Sequence, residues 1–163
     1  MNSTPPASST VHLAFSPDPA YVRTIRLVAA AVARRAGVAD ELLDEVRLAI
    51  GEACTRAVAL HRRYGLTDPI DVMMTDGGRF TVQVTDRGPA GSARDDPGET
   101  TGAIMVQVAA ETGLPPVDEE ALSAGVGLAL LKGLVSDLAV ASGAGGSGTE
   151  VRMSWPLGRT RSP

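Results

Sequence analysis

The sequence is poor in aromatic residues and nearly free of cysteine, and both shortages narrow the kinds of protein that it can encode. Aromatic residues make up 3% of the 163 positions, so the core must be built from Ala, Leu, Val, Ile and Met. Cys54 is the only cysteine, which excludes an internal disulfide and a zinc cluster. A reducing cytoplasm is therefore the natural compartment.

An excess of positive charge, a secretion signal and a long apolar run are also missing. The net charge of −4 argues against nucleic acid as the main partner, because no overall positive field exists to release phosphate counterions. The first ten residues are rich in Ser, Pro and Thr, without the basic start and apolar stretch of a signal peptide. No apolar run reaches the ~18 residues that predict a membrane span. We expect neither nucleic acid nor a membrane among the partners.

An apolar content of 44% is present, enough to bury the core of one domain. We expect a disordered N-terminus over residues 1–9, the domain over 10–157 and a loose tail over 158–163. Residues 89–124 break the regular pattern and are rich in Gly, Pro, Asp, Glu and Thr. This composition predicts a lid-like loop, with one short helix at about 101–111.

The spacing of apolar residues predicts three further helices. The first runs from a cap at Asp18 to Gly37, the second covers about 41–62 from a cap at Asp40, and the third follows Gly127. Strands are predicted where apolar residues alternate with polar ones. These residues are Val11, Leu13 and Phe15; Ile70, Val72 and Met74; Phe80, Val82 and Val84; Leu138 and Val140; and Val151, Met153 and Trp155.

Asp76-Gly77-Gly78 separates two of these runs and predicts a hairpin turn. The order of elements is strand, two helices, hairpin, long loop, helix and hairpin. Strands therefore come in antiparallel pairs while the helices collect together. This order predicts an α+β two-layer sandwich, with a mostly antiparallel sheet and helices on one face.

Two short motifs have the residue types of a nucleotide site, although each also has an ordinary structural interpretation. Gly125-Val126-Gly127 precedes a helix, whose free N–H groups attract phosphate, but on its own such a motif is more often an ordinary loop-to-helix joint. Asp86 ends a strand, where a carboxylate can accept a hydrogen bond from the exocyclic amine of adenine. On its own, Asp86-Arg87-Gly88 is more often a simple turn.

Glu52 lies on the second predicted helix, beside its apolar stripe. There a carboxylate can act as a general base toward a water or a hydroxyl. Alternatively Glu52 pairs with Arg56, four residues later, on a solvated helix face. His61 stands with Arg62 and Arg63 near the end of the same helix, where a basic cluster suits the helix dipole. Cys54 is interpreted as a small core residue rather than a nucleophile.

The order and spacing of these motifs resemble the GHKL ATPase superfamily, which includes histidine kinases, type II topoisomerases and mismatch-repair ATPases. Within it, the chain looks most like the small anti-sigma-factor serine kinases of bacteria. The stretches that carry the resemblance are EVRLAIGEACTRAV, VTDRGPAG, GVGLALLKGLVSD and GTEVRMSWPL. The resemblance covers about residues 10–157 and implies a histidine-kinase-like ATPase fold.

The resemblance also implies roles for matching residues. It implies that Glu52 is the catalytic base and that Asp86 binds the adenine amine. Family members bind ATP with Mg²⁺, hold a sigma factor, phosphorylate an anti-anti-sigma (STAS-type) protein, and commonly form homodimers. The resemblance thus implies ATP or ADP as ligand and these two kinds of protein as partners. The remaining nucleotide-binding positions that it implies are Gly88, Gly125, Val126, Gly127 and Thr149.

Arg56 departs from the family pattern, because the family has a Mg²⁺-ligating asparagine there. A guanidinium only donates hydrogen bonds and repels Mg²⁺, and Asn2 is the only asparagine in the chain. Arg56 could contact the nucleotide phosphates directly, lock Glu52 in an ion pair, or abolish nucleotide binding. A metal ligand set is therefore not predicted.

Three hypotheses for function follow. The first is an active serine/threonine-protein kinase of the anti-sigma-factor type, which uses Glu52 as base and phosphorylates its protein partner. The second is a catalytically inactive or metal-independent nucleotide-binding module that acts by sequestering its partner. The third is an ATPase domain detached from a sensor kinase, which ranks lowest because no phosphoacceptor-histidine helix precedes the domain.

Overall fold

A computed structural model of the protein describes residues 8–89 and 127–158, and only the backbone for 127–130. Almost all of the predicted lid-like loop lies outside these residues, together with the short helix expected at about 101–111. Gly125 and Val126 of the glycine motif lie outside them too.

Helix α1 spans Ala20–Ala36, and its two ends follow the signals in the sequence. The carboxylate of Asp18 accepts the N–H of Ala20 at 2.9 Å, which satisfies one of the donors that open a helix. The helix ends at Gly37, which has a φ of +96°. Glycine adopts this left-handed conformation without the steric cost that a Cβ would add. The prediction for this helix is confirmed to within a few residues.

Helix α2 spans Leu43–Arg63 and follows a 3₁₀ turn at Asp40–Leu42. The prediction that Asp40 caps this helix is wrong, because its side chain makes no capping hydrogen bond. A capping residue has extended backbone, and the extended residue here is Ala39, with a ψ of 142°. Asp40 is already inside the turn, and its carboxylate lies 3.6 Å from Nε of Arg34 instead.

In the described part of the chain, five strands form one sheet in the order β1-β2-β3-β5-β4, and every neighbouring pair is antiparallel. The predicted hairpin is confirmed, with Val72 opposite Val84 and Gly78 at a φ of +86° in its turn. A third helix, α3, covers Gly127–Leu134 between the hairpin and β4. The strands are β1 Thr10–Phe15, β2 Ile70–Thr75, β3 Arg79–Thr85, β4 Leu138–Ser142 and β5 Thr149–Pro156.

The helices cover one face of this sheet, and the core lies between the two layers. Alternate residues of β2, β3 and β5 point into it, and they pack with the apolar stripes of α1 and α2. Phe80 and Trp155 are cross-strand neighbours there, with ring centroids 6.1 Å apart. The α+β sandwich with helices on one face is therefore confirmed. No helix within residues 8–89 and 127–158 is long and apolar enough to cross a membrane.

Candidate functional site

Asp86 follows the last residue of β3, and its carboxylate is almost completely buried. Oδ1 accepts two backbone hydrogen bonds, from the N–H of Gly88 at 2.9 Å and from the N–H of Thr149 at 3.0 Å. Two N–H donors on one oxygen stabilise the ionised carboxylate in a buried place. The turn predicted around Asp86 is thus built from the end of β3 and the start of β5.

The backbone beneath this carboxylate is fixed by Gly148. Its N–H donates to the carbonyl of Gly88 at 2.6 Å, and its φ of +76° is in the left-handed region. A Cβ on Gly148 would lie 2.3 Å from the carbonyl oxygen of Asp86. Both the conformation and the close approach therefore require glycine at this position. The Gly148-Thr149 pair, uninformative in the sequence by itself, completes the turn around Asp86.

The side chain of Arg56 reaches the same carboxylate from helix α2. Nη1 donates to Oδ2 of Asp86 at 3.0 Å, and the side chains are 2% and 1% exposed. In such surroundings removal of either residue takes a buried hydrogen bond and a neighbouring opposite charge from the other. Three alternatives followed from the sequence for Arg56, and none included a pairing with Asp86.

Glu52 lies one helical turn before Arg56 on α2 and is half-buried. This position places the candidate base on the same helix as the arginine that holds Asp86. Its role as a catalytic base remains a prediction. Gly127 begins α3, as predicted, and Leu131 and Val135 of this region are buried in the core.

The residues at this site do not fit a bound Mg²⁺ ion. Mg²⁺ takes oxygen ligands, whereas the guanidinium of Arg56 offers donors alone. The guanidinium also places a positive charge beside the Asp86 carboxylate. Residues 8–89 and 127–158 contain no group of three or more His, Cys, Asp or Glu side chains able to hold a metal.

His61 is a residue of the site that the sequence did not predict to belong to it. It is fully buried, and its Nε2 accepts a hydrogen bond from the backbone N–H of Arg87 at 2.9 Å. His61 therefore holds the backbone of the residue that follows Asp86. His61 does lie in the last turn of α2 with Arg62 and Arg63, but its burial and its contact with Arg87 were not predicted. The spacing of residues could have predicted its burial, since His61 lies four residues after Ala57 and seven after Cys54, on the buried stripe of α2.

Burial lowers the pKa of His61 below its ordinary value of 6.5, although the negative charge of Asp86 opposes the effect. The geometry agrees, because only a neutral imidazole nitrogen can accept the hydrogen bond from Arg87. Asp68 also acts to raise this pKa, while the charge of Arg87 acts to lower it. His61 is therefore neutral in the folded protein near pH 7.

His61 should make the protein less stable in mild acid. Its pKa is lower in the folded state, so the unfolded state binds the proton more readily below about pH 6.5. The stabilisation is complete above that pH and is lost as the pH falls toward the folded-state pKa. Urea unfolding between pH 7.5 and 5 should show this loss in the wild type and a smaller one in His61→Gln.

The matched control is His12→Gln, which removes the other of the two histidines. Its side chain is 59% exposed, and it pairs with Asp71 at 3.0 Å. The pH dependence of this variant should follow the wild type. If His61→Gln and the wild type lose stability equally between pH 7.5 and 5, the assignment to His61 is wrong.

The side chain of Arg87 ties the Asp86 turn to the neighbouring strands. Nη2 of Arg87 donates to Oδ2 of Asp71 on β2 at 2.9 Å, and His12 on β1 contacts the other carboxylate oxygen. Burial acts to raise the pKa of Asp71, but the hydrogen bonds from Arg87 and His12 outweigh it and lower the pKa. Arg87 is therefore held through its backbone by α2 and through its side chain by the sheet.

Cys54 does not take part in chemistry at this site. The thiol is completely buried in the core, and burial raises its pKa to about 12. A thiol with that pKa is protonated at neutral pH and is a poor nucleophile. This agrees with its interpretation as a small core residue.

Comparison with known proteins identifies the family of this chain. The family model of the histidine kinase-like ATPase domain matches residues 15–155 of the 163, a range that contains Glu52, Asp86 and Thr149. No curated protein matches the chain. The antiparallel sheet with helices on one face agrees with this match. The chain therefore belongs to the histidine kinase-like ATPase domain family, within the GHKL superfamily.

Proposed function

We propose that this protein is a nucleotide-binding regulatory module of the anti-sigma-factor type, which acts by holding a protein partner. The partners proposed are a sigma factor, an anti-anti-sigma protein, or both, in the bacterial cytoplasm. One observation carries the proposal that binding outweighs catalysis. Arg56 occupies the position of the family's Mg²⁺ ligand, and its Nη1 donates a hydrogen bond to Oδ2 of Asp86 at 3.0 Å.

The physical argument concerns charge at the phosphates. Phosphoryl transfer depends on positioning and on neutralising the charge that develops on the β- and γ-phosphate oxygens, a task that bound Mg²⁺ performs in related enzymes. Without a metal ligand at position 56 this support is weakened. Binding of the base and sugar relies on the turn around Asp86 and Thr149, which does not need the metal.

Calorimetry with ATP tests the nucleotide part of the proposal. We expect the same heat and affinity with Mg²⁺ and with EDTA, because the side chain at position 56 cannot ligate the ion. Arg56→Asn restores an amide oxygen there and should make ATP binding stronger with Mg²⁺ than with EDTA. Absence of heat in every buffer, with the natural chain folded, would show that the nucleotide site is not functional.

The alternative function is an active serine/threonine kinase, and the position of Glu52 on α2 favours it. The two functions separate when the chain is incubated with labelled ATP and a partner recovered from its native cell. Transfer of label to a serine or threonine of that partner would establish the kinase and overturn the binding module. Stable association without transfer supports the module, and recovery of neither kind of partner would contradict the regulatory role.

A further inference from the structure

Both oxygens of the buried Asp86 carboxylate are already engaged by groups of the chain itself. Oδ1 accepts the N–H groups of Gly88 and Thr149, at 2.9 and 3.0 Å. Oδ2 accepts Nη1 of Arg56, at 3.0 Å. The carboxylate that would recognise a base amine in the proposed function therefore has an internal cationic donor on the oxygen opposite its backbone contacts.

We infer that Arg56 is a specificity-determining residue that stands in for the base amine, so that the site does not select adenine by its exocyclic amine. This inference deepens the proposed function and rests on it. The ligand class is a purine nucleotide in general, bound without a requirement for an amine at carbon 6 of the base.

The reason is the cationic donor that already lies on Oδ2. An incoming amine would have to share this oxygen with Arg56, whose guanidinium forms the stronger, charge-assisted hydrogen bond with a carboxylate. The positive charge of the guanidinium also repels the positively polarised hydrogens of the amine. A base without the amine avoids this repulsion. The higher affinity that adenine usually gains from an amine-to-aspartate hydrogen bond is therefore cancelled.

The test compares two nucleotides that differ only in the amine, ATP and purine riboside triphosphate. The wild type should bind both with dissociation constants equal to within about twofold. Arg56→Met keeps the length and apolar stem of the side chain but removes its donors. This variant should prefer ATP by roughly tenfold or more, the typical effect of one hydrogen bond to a charged group.

The matched control is Arg47→Met, the same substitution on the same helix. Arg47 pairs with the exposed Asp44 at 2.6 Å, away from the carboxylate of Asp86. The Arg47→Met variant should keep the wild-type ratio of the dissociation constants for ATP and purine riboside triphosphate. Far-ultraviolet circular dichroism and Trp155 fluorescence report whether each variant is folded.

The wild-type ratio decides the inference even if Arg56→Met fails to fold. A tenfold preference of the wild type for ATP overturns the inference and leaves the proposed nucleotide site standing. Equal affinities in both the wild type and a folded Arg56→Met overturn it too. Binding to the variant alone overturns both proposals, because the natural protein then binds no purine nucleotide. Absence of binding to both chains overturns both proposals.

Discussion

Replacement of Gly148 by alanine is expected to destabilise the protein by about 3 kcal/mol or more. A non-glycine residue at the φ of +76° stores roughly 1–3 kcal/mol of backbone strain. The new Cβ would also lie 2.3 Å from the carbonyl oxygen of Asp86, and displacing the backbone costs about 1–3 kcal/mol more. Urea unfolding followed by the fluorescence of Trp155, the only tryptophan, measures the change.

Gly145 provides a matched control for this substitution. It has the same φ of +76°, but a Cβ there would meet nothing within 4 Å. Gly145→Ala should therefore show the backbone strain alone, on the order of 1 kcal/mol. The difference between the two variants isolates the contact with Asp86. Equal losses would mean that the β5 end of the turn moves aside freely, and that Gly148 does not fix the position of Asp86.

The fold was predictable because its signals are local. Alternation of apolar residues in β2 and β3, with Asp76-Gly77-Gly78 between them, specifies a hairpin whatever surrounds it. Gly37 likewise ends α1 through its own conformational freedom. Asp40 shows the limit of such signals, because aspartate suits both a helix cap and the first position of a 3₁₀ turn. Only the backbone, extended at Ala39, separates the two interpretations.

The site was predictable in part, for a related reason. Asp86 and Gly88 are two residues apart, so their turn is visible in the sequence, and the order of motifs brings Thr149 to them. The partnership of Arg56 and Asp86 joins residues 30 positions apart. It depends on how α2 lies over the end of β3, which no local pattern records. An arginine on a helix is ordinarily taken as exposed, so its burial could not be inferred from residue type.

Replacement of Asp86 by asparagine should have the second large effect, a loss of about 3–5 kcal/mol of stability. Asparagine has the same shape, and its amide oxygen can still accept the N–H groups of Gly88 and Thr149. What disappears is the negative charge 3.0 Å from Nη1 of Arg56, which leaves a guanidinium buried at 2% exposure. Urea unfolding at pH 7.5, above the window in which His61 titrates, measures the loss.

The control is Asp44→Asn on the first turn of α2. Asp44 is 93% exposed and pairs with Arg47 at 2.6 Å, so water replaces its partner when the charge is removed. Its stability should lie within about 1 kcal/mol of the wild type. If Asp86→Asn loses as little stability as Asp44→Asn, Arg56 moves out to solvent in the folded protein. The internal donor on Oδ2 of Asp86 would then be absent.

The double variant Asp86→Asn with Arg56→Met distinguishes a true ion pair from two independent core residues. Each single substitution leaves one buried charge without the opposite charge beside it, whereas the double substitution removes both charges together. It should therefore be more stable than the sum of the single losses predicts, by about 1–3 kcal/mol. Simple additivity would show that the two side chains do not depend on each other. The inferred effect of Arg56 on a base amine would then lose its physical basis, because the guanidinium and the carboxylate would not be coupled.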